Sequence, residues 1–110
     1  MGEFTAGQIV ILPFPFSDLS RSKFRPALLL ADAGRGDWIA CQITSNPYAD
    51  SRAIALTSVD FASGSLGRLS YARPGKLFTA NEALFASVAG ALSDTTLIRL
   101  RDAVISLVQG

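Results

Sequence analysis

The segment of residues 23–45 constrains the fold more than any other part of this sequence. It holds two apolar runs, residues 27–31 and 38–43, around a tip that contains Gly34 and Gly36. Each run has the length of a β-strand, and glycine adopts positive φ at little cost, so a tight reversal between the runs is favoured. The segment therefore predicts an antiparallel hairpin at the centre of the fold.

The open end of this hairpin collects polar residues. Arg25 and Pro26 begin the first run, and Thr44 and Ser45 end the second. Because the two ends of a hairpin meet at its mouth, we expect a permanent cation and two hydroxyls in one small area. Arginine donors match phosphate oxygens, and hydroxyls donate to the same oxygens. The mouth predicts an anion site, with a plain surface arginine beside a polar turn as the alternative interpretation.

Length and composition favour one domain over residues 1–110. Hydrophobic residues make up 49% of the chain and charged residues 17%, below the roughly 25% that is usual, so surplus apolar surface is expected at an interface. No apolar run reaches the ~20 residues of a membrane span, and no signal peptide is visible. The single cysteine, Cys41, allows no internal disulfide. We therefore expect a cytoplasmic protein.

The absence of histidine limits the chemistry of the chain. It excludes a histidine acid or base and most zinc sites, so no metal or other cofactor is expected. Cys41 lies within an apolar run, where a small buried side chain is a more common role than a nucleophile.

Basic residues are concentrated in two acid-free stretches, although the net charge is only +1. The stretches hold Arg21, Lys23 and Arg25, and Arg68, Arg73 and Lys76, respectively. If the fold brings them together, they form a basic patch suited to a phosphate backbone. Ordinary solvated surface charge is the alternative.

A long connection, residues 13–24, is expected between a first strand at residues 7–12 and the hairpin. Connections of this length are often functional. Phe14 and Phe16 either pack into the core, as expected for at least one of them, or stack on bases. Asp18 is expected to shape a turn, with a role as general base as the alternative.

The second half of the chain predicts more short strands and a helix. Strands are expected at residues 53–56, 69–73 and 76–79, with an irregular loop at 60–68, whereas residues 83–91 are compatible with helix or strand. Ser93 and Asp94 form a good start for an amphipathic C-terminal helix, with Arg99 and Arg101 on its solvated faces. About six short strands and one helix favour a mainly β, small SH3-like barrel.

Several short motifs, spread in order over nearly the whole chain, resemble those of the PemK/MazF family, the toxins of type II toxin–antitoxin modules. These motifs are Gly7-Gln8-Ile9-Val10, Pro13-Phe14-Pro15-Phe16-Ser17-Asp18-Leu19, Lys23-Phe24-Arg25-Pro26-Ala27-Leu28-Leu29-Leu30, Gln42-Ile43-Thr44-Ser45 and Ser70-Tyr71-Ala72-Arg73-Pro74. The resemblance implies an SH3-like barrel of the CcdB/PemK type with a C-terminal α-helix, assembled as a homodimer. It also implies a metal-independent endoribonuclease that cuts single-stranded RNA, usually messenger RNA, at a short sequence and is inhibited by a cognate antitoxin.

The resemblance also implies a reaction and the residues that carry it. In the family, the ribose 2′-OH attacks the phosphate and leaves a 2′,3′-cyclic phosphate and a 5′-OH. Arg25 matches the arginine of the Arg-Pro motif, Thr44 the threonine that ends the third strand, and Arg73 a basic position that some members use in catalysis. The residues expected to bind RNA are Phe16, Asp18, Arg21, Lys23, Phe24, Ser45, Tyr48 and Lys76.

One position departs from the family pattern. Members with the arginine at position 73 often have an aspartate two residues later, where this chain has Gly75. The general base is therefore open between Asp18, an atypical arginine and simple positioning of the 2′-OH. Two other functions also stay open: a catalytically silent barrel that binds RNA or an antitoxin, and a gyrase-poisoning toxin of the same fold. The Arg-Pro and Thr-Ser motifs favour the nuclease over both.

Overall fold

The structure, a computed structural model, describes residues 3–15, 22–47 and 49–110. These residues form β-strands, two 3₁₀ turns at Ser58–Asp60 and Glu82–Leu84, and one α-helix, α1, at Asp94–Gln109. The strands are β1 Gln8–Pro15, β2 Ser22–Gly34, β3 Asp37–Thr44, β4 Ile54–Leu56, β5 Phe61–Gly64, β6 Ser70–Asn81 and β7 Ser87–Leu92.

The strands form one antiparallel sheet of seven strands in the order β4-β6-β3-β2-β1-β7-β5. The register shifts in the β1–β7, β2–β3, β3–β6 and β5–β7 pairs. Such bulges increase the twist and bend the strands, so the sheet curls into a nearly closed barrel with β4 and β5 at its edges. The predicted mainly β barrel with a C-terminal helix is confirmed.

The central hairpin is present and longer than predicted. β2 and β3 pair from Ala27↔Gln42 towards a tip at Gly34, Arg35 and Gly36, whose φ angles are 95°, 58° and 81°. Glycine takes this left-handed backbone at little cost, which explains how so tight a reversal is possible.

The connection after β1 is shorter than predicted. β1 continues through Pro13 to Pro15, and β2 starts at Ser22, so only residues 16–21 separate them. A proline is tolerated inside β1 because the pairing of β7 with β1 ends at Ile11. Beyond that residue β1 pairs with β2 alone among the described strands, so the missing N–H breaks no second ladder there.

Residues 69–79 form one strand instead of two. β6 runs through Pro74 and Gly75 without a turn, and its register with β3 shifts between Cys41↔Leu77 and Ile43↔Ala72. The extra β6 residues form a bulge, where a proline costs no ladder hydrogen bond. β5 lies where an irregular loop was predicted, and the ambiguous segment forms a 3₁₀ turn followed by β7.

Two apolar clusters fill the two faces of the sheet, since successive strand residues point to opposite sides. The helix-side cluster contains Ile9, Leu28, Leu30, Cys41, Ile43, Leu56, Ala72, Leu92, Leu97 and Leu100. The aromatic-side cluster contains Val10, Leu12, Ala27, Leu29, Trp38, Ala40 and Ala80, with Phe4, Phe14, Phe78 and Phe85 packed against it. β1 and β2 contribute to both clusters, which explains why they appear in the sequence as continuous apolar runs.

Cys41 belongs to the core. Its thiol is free and buried, and burial raises its pKa to about 12. It is therefore protonated at neutral pH and a poor nucleophile, in agreement with the predicted role as a small apolar side chain. Among the described residues, no helix combines the length and apolarity needed to cross a membrane.

α1 begins at the N-cap that the sequence predicted, and its first turn is also hydrogen-bonded to the segment before β5. Ser93 is the N-cap, and its hydroxyl oxygen accepts a hydrogen bond from the N–H of Thr96 at 3.3 Å. The Thr96 hydroxyl donates to Oδ1 of Asp60 at 2.9 Å, and the N–H of Thr57 donates to Oδ2 at 2.8 Å. Asp60 thus joins the 3₁₀ turn to the helix.

We expect Asp60→Asn to lower the free energy of unfolding by about 1–2 kcal/mol at neutral pH, since an amide oxygen is a weaker acceptor than a carboxylate. The N–H of Thr57 is the main cause that lowers the pKa of Asp60 in the folded protein. The stabilisation is therefore complete above the unfolded pKa of about 4 and is lost as the pH falls through the lower folded value. Urea unfolding should show the gap between the two proteins narrowing as the pH falls below the unfolded pKa. A gap that is independent of pH would contradict this role, and Asp102→Asn in the same helix is the control.

Arg101 is exposed, as predicted, but its guanidinium is hydrogen-bonded to the sheet. Its Nε and Nη2 donate to the carbonyl oxygen of Leu30 at 3.1 and 2.8 Å. The β2–β3 register passes from Leu29 to Ala31, so Leu30 is the residue that the bulge leaves out of the ladder. The guanidinium therefore satisfies a strand carbonyl and ties α1 to the sheet.

We expect Arg101→Ala to lower the free energy of unfolding by about 1–2 kcal/mol, because it leaves the Leu30 carbonyl without this donor. Arg101→Lys should recover part of the loss, since an ammonium offers one point of charge instead of a two-pronged donor. Denaturant unfolding measures both, with Arg99→Ala as the control on the same helix. An unchanged midpoint for Arg101→Ala would show that water replaces the guanidinium without cost.

Candidate active site

The order of the strands places one arginine from each basic stretch beside β3. β3 lies between β2, which carries Arg25, and β6, which carries Arg73. Both arginines lie near the carboxyl-terminal end of β3, where Gln42 and Thr44 are found. The end of one strand is thus flanked by a cation from each neighbouring strand.

Strand alternation places the key residues on one face. Ala27 and Gln42 are paired, and extending this register by two residues brings Arg25 opposite Thr44. Arg25, Gln42 and Thr44 alternate with residues of the helix-side cluster, so they lie on the face of the aromatic-side cluster. Arg25 is half-buried there. This polar end of the aromatic face, with Asp50 and Arg73, is called the strand-end site below.

The β6 bulge positions Arg73. Its Nε donates to Oδ2 of Asp50 at 2.8 Å, and its Nη1 donates to Oε1 of Gln42 at 3.1 Å. The Arg73 and Asp50 side chains are only 15% and 16% exposed. The next residue, Pro74, is fully buried and anchors the bulge in the core. Arg73 is therefore a fixed cation beside the end of β3.

Asp50 and Gln42 were not predicted as site residues. Asp50 lies in the turn after β3, and its Oδ1 accepts a hydrogen bond from the N–H of Arg52 at 2.9 Å. The hydrogen bond from Arg73 is the main cause that holds the pKa of Asp50 below its usual range, so it is ionised at neutral pH. Its position five residues after Ser45 of the Thr-Ser motif was the only local signal, because its partner is 23 residues away.

Thr44 is buried and already engaged. Its hydroxyl donates to the carbonyl oxygen of Asn46 at 3.0 Å and accepts from the N–H of the same residue at 3.1 Å. The hydroxyl therefore closes the turn that ends β3. To donate to an external oxygen it has to release the Asn46 carbonyl. Ser45, the next residue, is exposed.

A cleft next to Arg73 extends the basic surface. It has a volume of about 510 Å³ and is lined by Ala49, Asp50, Arg52, Arg73, Gly75, Lys76 and Leu107. Lys76, predicted to bind RNA, is thus brought beside Arg73. Arg52 was not predicted, and it adds a third cation to the cleft wall.

The other predicted RNA-binding residues are distributed unevenly. Lys23 is exposed and shares a strand face with Arg25, whereas Phe24 is 63% exposed on the opposite face. Phe14 packs edge-to-face on Phe78 with ring centroids 5.0 Å apart, so it serves the core. Four predicted residues lie outside the described part of the chain: Phe16, Asp18, Arg21 and Tyr48.

Within residues 3–15, 22–47 and 49–110, no group of three or more His, Cys, Asp or Glu side chains is arranged to hold a metal ion. The charges described at the strand-end site come from two arginines and one carboxylate. This combination can bind and orient an anion.

Comparison with known proteins gives a similarity of structure. A scan of the sequence against models of protein families finds no match, and a search of curated proteins finds no significant one. The fold is similar to that of the MazE–MazF crystal structure from Deinococcus radiodurans, with a TM-score of 0.75, 21% identity and 94% of each chain covered. MazF from the same organism gives a TM-score of 0.71, 22% identity and 96% of each chain covered.

A third similar structure comes from a mycobacterial species. It is an endoribonuclease in complex with its cognate antitoxin, with a TM-score of 0.70, 16% identity, 94% of this chain covered and 93% of that one. At these identities the comparisons establish the fold. The chain has the MazF fold, and at this level the resemblance seen in the sequence is confirmed.

Proposed function

We propose that this protein is the toxin of a type II toxin–antitoxin module. It is an endoribonuclease that cuts single-stranded RNA without a metal ion, and messenger RNA is its proposed target. The observation that carries the proposal is the strand-end site: Arg25 and Arg73 flank Thr44 at the end of β3. The MazF fold and the sequence motifs support the same function.

The proposed reaction is attack of a ribose 2′-oxygen on the adjacent phosphorus. A bond forms between the 2′-oxygen and phosphorus, the bond to the 5′-oxygen breaks, and a proton moves from the 2′-OH to solvent or a base while another reaches the leaving oxygen. The products are a 2′,3′-cyclic phosphate and a 5′-OH. Negative charge grows on the phosphate oxygens, where Arg25 and Arg73 act as fixed donors. The exposed Ser45 hydroxyl orients the same oxygens, and Thr44 joins it once its hydroxyl releases the Asn46 carbonyl.

The described part of the strand-end site holds only a weak proton acceptor for the 2′-OH. Asp50 is ionised, but both of its oxygens accept hydrogen bonds and its pKa is lowered by Arg73, which makes it a weak base. We therefore assign the larger share of catalysis to charge stabilisation and to alignment of the 2′-OH. Asp18, which lies outside the described residues, is the candidate acceptor.

The proposal includes a cognate antitoxin and a homodimer in the cytoplasm. An antitoxin is proposed because similar structures hold MazF with MazE and an endoribonuclease with its antitoxin. A dimer is supported by apolar side chains left exposed on α1, namely Ile98, Ile105 and Val108. A monomer mass by light scattering at micromolar concentration would contradict the dimer.

The test of function is cleavage of a long, unstructured RNA in the presence of EDTA. We expect discrete cuts at a short recurring sequence. Intact RNA that is nevertheless bound with strong salt dependence would support a silent binding barrel instead, which Gly75 and the existing Arg73–Asp50 ion pair favour as the second candidate. Intact RNA together with impaired DNA supercoiling would support a gyrase poison.

A further inference from the structure

We infer that Asp50 is a positioning residue of the proposed nuclease. Its carboxylate, from the turn after β3, holds the Arg73 guanidinium at the strand-end site and supplies the acidic neighbour that Gly75 does not provide. The inference rests on the proposed function, since it assigns Asp50 a role in that reaction.

Two anchors fix the Arg73 guanidinium. Asp50 holds Nε at 2.8 Å and Gln42 holds Nη1 at 3.1 Å, so rotation of this planar group is restricted from two sides. A guanidinium has five N–H donors, and these two bonds use two of them. The remaining N–H donors can bind a phosphate while the guanidinium is held in place. Such a preorganised donor stabilises charge without having to reorganise.

Asp50 is itself held in place. The N–H of Arg52 donates to its Oδ1 at 2.9 Å, and its own N–H donates to the carbonyl oxygen of Pro47 at 3.0 Å. The side chain is only 16% exposed, so solvent competes weakly for the ion pair. The carboxylate is therefore an organised anchor and not a chance surface contact of a flexible side chain.

β6 offers no acidic residue for the same purpose. No Asp or Glu occurs from residue 61 to residue 81, which includes the whole of β6. A Cβ at Gly75 would lie 3.7 Å from Leu107, an ordinary contact, so the position has room for a side chain but lacks one. The carboxylate beside Arg73 comes from a different segment of the chain.

The experiment compares Asp50→Ala, Asp50→Asn and Asp50→Glu with wild type, each also in an Arg73→Ala background. We expect Asp50→Ala to lower kcat by about 10²-fold. Without its anchor the Arg73 guanidinium shifts, and a displacement of about 1 Å at a reacting site costs a factor of this size in rate. KM should change by less than about threefold, since removing a negative charge does not weaken RNA binding. In the Arg73→Ala background, Asp50→Ala should lower kcat further by less than about threefold.

Asp32→Ala is the matched control. Asp32 makes the same kind of turn bond, from the N–H of Gly34 to its Oδ1 at 2.8 Å, at the hairpin tip. It should leave kcat unchanged. Asp50→Asn keeps an acceptor oxygen and Asp50→Glu keeps the charge, so both should retain more activity than Asp50→Ala if the role is to position Arg73. Circular dichroism at the assay temperature confirms that each variant is folded.

A second readout does not need activity. The Nε–H signal of Arg73 in a ¹⁵N NMR spectrum, assigned by its loss in Arg73→Lys, should be protected from exchange in wild type and Asp32→Ala and lost in Asp50→Ala. An unchanged signal, or an unchanged kcat, in Asp50→Ala would overturn the inference. If wild type cuts no RNA but the Arg73 signal still depends on Asp50, the proposed function alone is contradicted. If wild type cuts no RNA and the signal does not depend on Asp50, both the proposed function and the role of Asp50 are contradicted.

Discussion

Replacing Arg25 with alanine is expected to reduce the rate of RNA cleavage by about 10²–10³-fold. Arg25 lies on β2 at the mouth of the central hairpin, on the face that carries Thr44. Its guanidinium can bind two oxygens of the phosphate at once. Since the charge on these oxygens is largest in the transition state, its removal should affect kcat more than KM.

A conservative variant and a control variant accompany this prediction. Arg25→Lys keeps the charge but loses the fork of donors, so we expect an intermediate rate. Arg99→Ala removes an exposed arginine from α1 and should leave the rate unchanged. The cleavage rates of all variants are measured on the same RNA at the same salt concentration. Full activity of Arg25→Ala would remove the strand-end site from the reaction.

Gly90→Ala is expected to lower the free energy of unfolding by about 1–3 kcal/mol. Gly90 lies in β7 between β1 and β5, paired with Ile9 on one side and Gly64 on the other. A Cβ on Gly90 would lie 2.5 Å from the carbonyl oxygen of Ser63 and 3.1 Å from Cα of Gly64. Both are backbone atoms, so the clash can be relieved only by moving β5 away from β7.

Gly75→Ala is the matched control for Gly90→Ala. It is exposed, and its Cβ would meet Leu107 at an ordinary 3.7 Å. We expect its stability to be equal to that of wild type or higher by up to about 1 kcal/mol, because alanine restricts the unfolded chain. Thermal and urea unfolding of the two variants test the contrast. Equal stability of both would mean that β5 adjusts freely, or does not pair closely with β7.

The elements that the sequence predicted correctly carry their own local signals. The hairpin follows from two apolar runs around a glycine tip, and α1 follows from Ser93 and the apolar spacing after it. β5 has no such signal, because Phe61–Gly64 is a short edge strand with exposed residues and no alternation. β6 was divided at Pro74 because a bulge that accommodates a proline depends on the neighbouring strand.

The site was predictable only as far as strand ends and charge allow. The hairpin places Arg25 and Thr44, and the resemblance adds Arg73. Asp50 could not be found in this way, because it meets Arg73 through a turn and a bulge that no local pattern connects. Phe24 was expected beside Lys23 and Arg25, but strand alternation puts it on the other face.

The most direct test of the central claim is the chemistry of the product ends on a short RNA that contains the mapped cleavage site, in EDTA, beside the same RNA with a single 2′-deoxy nucleotide at the cut. We predict a 2′,3′-cyclic phosphate and a 5′-OH from the first RNA, and no cleavage of the second. Arg25→Ala should suppress the products of the first. Cleavage of the 2′-deoxy RNA, or a 5′-phosphate end, would contradict attack by the 2′-OH at the strand-end site.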